Sequence, residues 1–161
     1  MFRRNKDSRV VLIFLDVDGV LNSLENAIEL YNQTGIPRSG VNFPFDERCM
    51  LNLKRLVEET HSALVVTSSW RKYQDQKERL IEELKKYDLE DYVIGYTKDL
   101  GNRVLEIKEY LNSIGTDVNF VILDDSAYLE DLVEYLIATN AYYGLRDIDV
   151  EEAKLRLSKG E

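Results

Sequence analysis

Residues 10–22 read VVLIFLDVDGVLN, and this stretch decides the fold. Six apolar residues run from Val10 to Leu15 without a polar break. β-Branched and aromatic types are frequent among them, which suits a strand buried on both faces, as in a parallel sheet. Asp16, Val17, Asp18 and Gly19 follow at once. Ligands of open α/β sheets bind beyond the carboxyl ends of the strands, so the two aspartates fall where chemistry is done. Two positions apart, they point to the same side of an extended chain. Carboxylates held close repel each other unless a cation or a shared proton offsets the repulsion. Gly19 gives the backbone freedom to turn out of the sheet. The stretch therefore predicts either a hard-cation site or an acid/base pair at a strand tip.

Composition bounds the rest. The chain has 161 residues, of which 44% are apolar. That is enough for one domain, residues 1–161, with its own core. The formal charge is −9, from 21 basic and 30 acidic residues. Such a surface repels nucleic acid and anionic membrane in general, and only a local basic patch would bind either. Cys49 has no second cysteine to pair with. It falls in an apolar helical pattern, which predicts a buried thiol in a reducing compartment. No apolar run approaches the roughly 18 residues of a membrane span. The start, MFRRNKDSR, is basic but is not followed by a signal-type apolar region and cleavage site. A soluble cytoplasmic protein is expected, and its oligomeric state is not fixed by the sequence.

Working outward, strand and helix alternate. Ser23 to Tyr31 carries Leu24, Ala27, Ile28 and Tyr31 at helical spacing, and QTGIPRSG behind it is loop chemistry. Residues 23–45 are expected to form a flap over the strand tip. Asp46 is an N-cap candidate for a helix with Met50, Leu53, Leu56 and Val57 on one face. Ala63–Val66 is a second buried strand, Tyr73–Tyr87 a helix, Tyr92–Tyr96 a short edge strand and Asn102–Asn112 a helix. Phe120–Leu123 is another buried strand. Ser126–Leu132 reads as a short helix, Tyr135–Thr139 as a strand and Val150–Leu157 as a terminal helix. Alternation at crossover spacing predicts a mostly parallel, three-layer α/β/α sheet domain. His61 lies between a helix and a strand and reads as structural.

Three further stretches carry candidate chemistry. Thr67 and Ser68 end the second strand, where hydroxyl and backbone N–H groups bind a phosphate oxygen; either residue would equally serve as a helix N-cap. Trp70 offers a face for stacking or a core side chain, and Arg71 a bidentate phosphate clamp or a surface cation. VILDDS sets Asp124 and Asp125 at another strand end. Mg²⁺ takes oxygen ligands and keeps several waters, so a few carboxylates suffice to hold it. No Gly-rich Walker loop is present.

DVDGVLN, ALVVTSSW and VILDDS together resemble the signature of the haloacid dehalogenase (HAD) superfamily. The resemblance implies a Rossmann-like HAD fold with a minimal cap. It also implies a Mg²⁺-dependent phosphomonoesterase that works through an aspartyl-phosphate. By it, Asp16 is the nucleophile and Asp18 the general acid/base. Thr67 holds the transferring phosphoryl group, with Ser68 as second choice. Asp125 ligates the metal and Asp124 supports it, completing a site of Asp16, Asp18, Asp124 and Asp125. The family also places a cation near the start of the helix before the last acidic strand. Here Arg103 is the first choice, and Lys98 and Lys108 are rivals. The string TSSWR is similar to that of a capless HAD branch associated with RNA end-repair proteins. The implied partner is a phosphorylated substrate, either a small molecule or a macromolecular end, with nucleic acid not favoured by the net charge. The competing readings are a receiver-like phosphate-binding module without turnover and an inactive HAD-like scaffold.

Overall fold

A computed structural model describes residues 9–37, 44–115, 117–126 and 128–159. Its strands are β1 (Val10–Leu15), β2 (Ala63–Val66), β3 (Val93–Tyr96), β4 (Val118–Asp124) and β5 (Leu136–Ala138). They form one sheet in the order β3-β2-β1-β4-β5, and every pairing is parallel. The helices are α1 (Leu24–Thr34), α2 (Glu47–Thr60), α3 (Gln74–Lys85), α4 (Arg103–Ile114) and α5 (Asp147–Lys159).

The central place of β1 follows from its sequence. Only a strand covered on both faces can bury consecutive apolar residues, as β1 does from Leu12 to Leu15, with Val10 and Val11 half-buried. Ile13 and Leu15 face one core, shared with Leu53 and Leu56 of α2, Leu80 and Leu84 of α3, and Val150 and Leu157 of α5. Leu12 and Phe14 face a second core with Val104 and Ile107 of α4. Phe14 meets the rings of Tyr110 and Phe120 edge-on, at centroid distances of 5.9 and 5.6 Å. These two cores give the three-layer α/β/α arrangement read from the sequence.

Several boundaries differ from expectation. The segment expected to be helical over Ser126–Leu132 instead carries a 3₁₀ turn over Glu130–Tyr135. The last helix begins at Asp147, three residues before Val150. α1 extends to Thr34, where Gly35 caps it in the left-handed region, and only Ala27 of its stripe is buried. Leu24, Ile28 and Tyr31 are exposed. Of the expected flap, residues 38–43 lie outside the described residues. Asp46 caps α2 as read, its carboxylate accepting from Arg48 N at 2.9 Å. His61 ends α2 with φ 52°, a structural role. Cys49 is buried, and burial pushes its thiol up to about 12, so it is inert at neutral pH.

Register positions the site. Leu15 is level with Val66 of β2 and Leu123 of β4. The next residues, Asp16, Thr67 and Asp124, therefore emerge in one row at the carboxyl rim. The ladder continues one step past the strands: Asp16 N donates to Leu123 O at 3.0 Å and Thr67 N to Leu15 O at 2.9 Å. β2 and β3 build to one side of β1 and β4 to the other. The strand order thus reverses between β1 and β4, and such a crevice is where ligands of α/β sheets bind.

Candidate active site

Asp16 and Asp124 line that crevice, and Asp125 joins them from the loop after β4. One carboxylate oxygen from each of the three lies within 4.8 Å of the others. Asp16 and Asp124 are buried, and Asp125 is exposed. Burial pushes the Asp16 carboxyl up to about 7, with the charge of Asp124 adding to the rise and Arg103 opposing it. Burial and the neighbouring Asp124 also raise Asp125. Three carboxylates cannot all ionise so close together without a positive charge.

Arg103 supplies part of that charge. It is the first residue of α4, whose N-cap is Asn102, with the Asn102 side chain accepting from Leu105 N. Its Nη1 lies 2.5 Å from Asp124 Oδ2 and 3.7 Å from Asp16 Oδ1. The same nitrogen donates to Thr67 Oγ1 at 3.4 Å. One guanidinium against three carboxylates leaves the cluster short of positive charge, and hard oxygen donors suit a divalent cation such as Mg²⁺. The donor set therefore fits the metal that the sequence led us to expect.

Asp18 departs from expectation. The chain turns after Val17, whose carbonyl accepts from Val20 N and Leu21 N. The Asp18 carboxylate lies outside the three-carboxylate cluster. It accepts from Trp70 Nε1 at 3.2 Å and from Asn22 Nδ2 at 3.1 Å. Of the four carboxylates expected around one ion, the structure brings three together.

With that geometry in view, the family described as "HAD domain in Swiss Army Knife RNA repair proteins" matches residues 12–150. The chain belongs to that family. No curated protein and no solved structure matches it. It is a HAD-type hydrolase domain by family, and no helix among its described residues is long and apolar enough to cross a membrane.

Within this HAD domain the remaining candidates separate cleanly. Arg71, read in sequence as a phosphate clamp or a surface cation, has its side chain buried against Glu106. A guanidinium has five N–H donors. Those of Arg71 go to the carbonyls of Thr97 (2.8 Å), Thr67 (2.7 Å), Ser68 (2.9 Å) and Lys98 (3.1 Å) and to Glu106 Oε2 (2.8 Å). All five are taken up within the chain. Ser68 uses its hydroxyl to cap the 3₁₀ turn Ser69–Lys72, accepting from Trp70 N, while Thr67 stands in the row with Asp16 and Asp124. The rival cations point elsewhere: Lys98 pairs with Glu109 at 3.0 Å and Lys108 with Asp131 at 2.5 Å. Trp70 is 5% exposed and packs edge-on against Phe45 at 5.3 Å, so its face is not a stacking platform.

Two residues complete the HAD site. Gly19 has φ +77°, and a Cβ there would come within 2.3 Å of Asp125 Oδ2. Only glycine lets the β1 loop and the β4 loop approach this closely. Thr139, just past β5, donates from Oγ1 to Gly19 O at 2.7 Å and from its backbone N to Asp124 O at 3.0 Å. It fastens the two acidic loops to each other. Thr139 was missed from the sequence, although it follows an apolar strand just as Thr67 does.

Proposed function

We propose that this HAD domain is a phosphohydrolase that cleaves phosphomonoesters through an aspartyl-phosphate on Asp16. The observation that carries the reading is the convergence of Asp16, Asp124 and Asp125 with Arg103 and Thr67 at one switch point. Asp16, Asp124 and Asp125 would hold Mg²⁺. A bound divalent ion would offset their charge, keep Asp16 ionised at neutral pH and polarise the phosphoryl oxygens.

The chain's own residues perform the rest. An Asp16 oxygen attacks phosphorus and the bond to the leaving oxygen breaks. Asp18 gives its proton to that oxygen and is left as a carboxylate. The Asp18 carboxylate then takes a proton from water, whose oxygen attacks phosphorus. The bond to Asp16 breaks, releasing phosphate and restoring both aspartates. Arg103 and the Thr67 hydroxyl stand beside Asp16 to meet the charge on the equatorial oxygens.

The family's name supports a phosphorylated RNA end as the first substrate class to examine. The net charge of −9 works against tight binding of a polyanion, and small phosphomonoesters are the second class. The test is release of phosphate from 5′- and 3′-phosphorylated oligonucleotides, nucleotides, sugar phosphates and para-nitrophenyl phosphate, with Mg²⁺ and with chelator. Turnover that needs Mg²⁺ and falls at least about 10³-fold in Asp16→Asn is expected. Equal turnover in the two proteins rejects the mechanism, and absence of turnover on every ester favours a binding module.

A further inference from the structure

Two neutral donors are among the groups that hold Asp18, one on each oxygen. Trp70 Nε1 donates to Oδ2 at 3.2 Å and Asn22 Nδ2 to Oδ1 at 3.1 Å. An indole N–H is a donor only, and a buried one needs an acceptor. The ring itself is placed by two other contacts. Ser68 Oγ accepts from Trp70 N at 3.2 Å, and the ring packs at 78° to Phe45. Asn22 is 3% exposed, and its Oδ1 is buried with no hydrogen-bond partner among the described residues. Leaving a buried acceptor unpaired is costly. Turning the amide over would set that oxygen against the Asp18 carboxylate, so Asp18 dictates how Asn22 lies. A carboxylate on a single-methylene stem turns freely about its last bond. Donors on both oxygens bias that angle, and neither the indole nor the amide carries a charge of its own.

We propose that Trp70 and Asn22 are positioning residues that aim the Asp18 carboxyl at the leaving-group oxygen. The proposal rests on the acid/base role given to Asp18 above. It accounts for a buried tryptophan at a strand tip where neither core packing alone nor stacking on a substrate does.

Because the chain has one tryptophan, a ¹⁵N spectrum shows one indole N–H resonance. In Asp18→Ala that resonance should move well upfield while the dispersed backbone pattern of a folded protein persists. The second measurement is kcat/KM for an unactivated alkyl phosphate and for para-nitrophenyl phosphate. Nitrophenolate leaves without a proton and an alkoxide does not. Trp70→Phe keeps a smaller ring against Phe45 and removes the donor, so the difference between the two esters, which lost packing alone would not produce, is the readout. The variant should lose about ten-fold or more on the alkyl ester and about three-fold or less on the nitrophenyl ester. Asn22→Ala should repeat the pattern. An indole resonance that stays put in folded Asp18→Ala, or equal losses on the two esters, overturns the proposal and leaves the hydrolase reading standing. A wild type that turns over neither ester overturns the hydrolase reading and this role together.

Discussion

Asp16 is the residue on which the site's pH behaviour turns. Its carboxyl sits near 3.8 in an unfolded chain and about 7 here, because burial and then Asp124 disfavour the charge. Between those values the folded protein binds a proton that the unfolded chain does not. Stability from this group is full below about pH 4 and is lost as pH rises through about 7. Asp125, also raised, acts in the same direction. In metal-free protein the melting midpoint should therefore fall as pH rises over that window, by an amount on the order of 2–4 kcal/mol of stability. Asp16→Asn should flatten the fall. Added Mg²⁺ should raise the midpoint more at about pH 7.5 than at about pH 5, since the ion competes with protons for the same oxygens. Calorimetric melts of both proteins at each pH check this; a midpoint that rises with pH in the absence of metal contradicts it.

Among the elements, the loop before α4 and the turn after β2 depend on one buried ion pair. Glu106 Oε2 accepts from Arg71 Nη2 at 2.8 Å and from Leu100 N at 2.9 Å, and Glu106 Oε1 lies 4.0 Å from Arg103 Nε. The side chains of Arg71 and Glu106 are 4% and 6% exposed. One carboxylate thus ties the Thr67 segment to the helix that carries Arg103. Breaking such a pair from one side leaves a buried charge uncompensated. Glu106→Gln should cost about 2–4 kcal/mol in a urea unfolding curve, with the midpoint lowered and the slope unchanged. An unchanged midpoint would mean that the pair contributes nothing.

This pair also marks where sequence reading stops. β1 and the acidic ends of β1 and β4 were legible, because an apolar run that closes on aspartates is a local pattern. Choosing Arg103 over Lys98 and Lys108 relied on family resemblance. Arg71 reads in sequence as a phosphate clamp or a surface cation, whereas its donors go to the nearby carbonyls of Thr67 and Ser68 and to Thr97, Lys98 and Glu106, and no local pattern encodes the fold-back that brings the last three to it. Asp18 reads in sequence as both acid/base and fourth metal ligand; the chain turns after Val17, and its carboxylate falls outside the group of Asp16, Asp124 and Asp125. The row of Asp16, Thr67 and Asp124 depends on register, which emerges only when three strands far apart in sequence are paired.

At the scale of the whole molecule, the site exists because the chain runs outward through β2 and β3, then crosses back over β1 to lay β4 on its other side. That path brings residues 16, 67, 103 and 124 to one crevice, with β5 and Thr139 closing the far side. The central claim is that Asp16 takes the phosphoryl group there. It is tested most directly by trapping that group. Asp18→Asn, which slows the hydrolysis step, is incubated with Mg²⁺ and para-nitrophenyl phosphate, quenched in acid, digested and weighed by mass spectrometry. The added mass of one phosphoryl group on the peptide containing Asp16, absent when Asp16→Asn is combined with it, is the expected result. Turnover by the wild type with the phosphoryl group on a different residue would contradict the account.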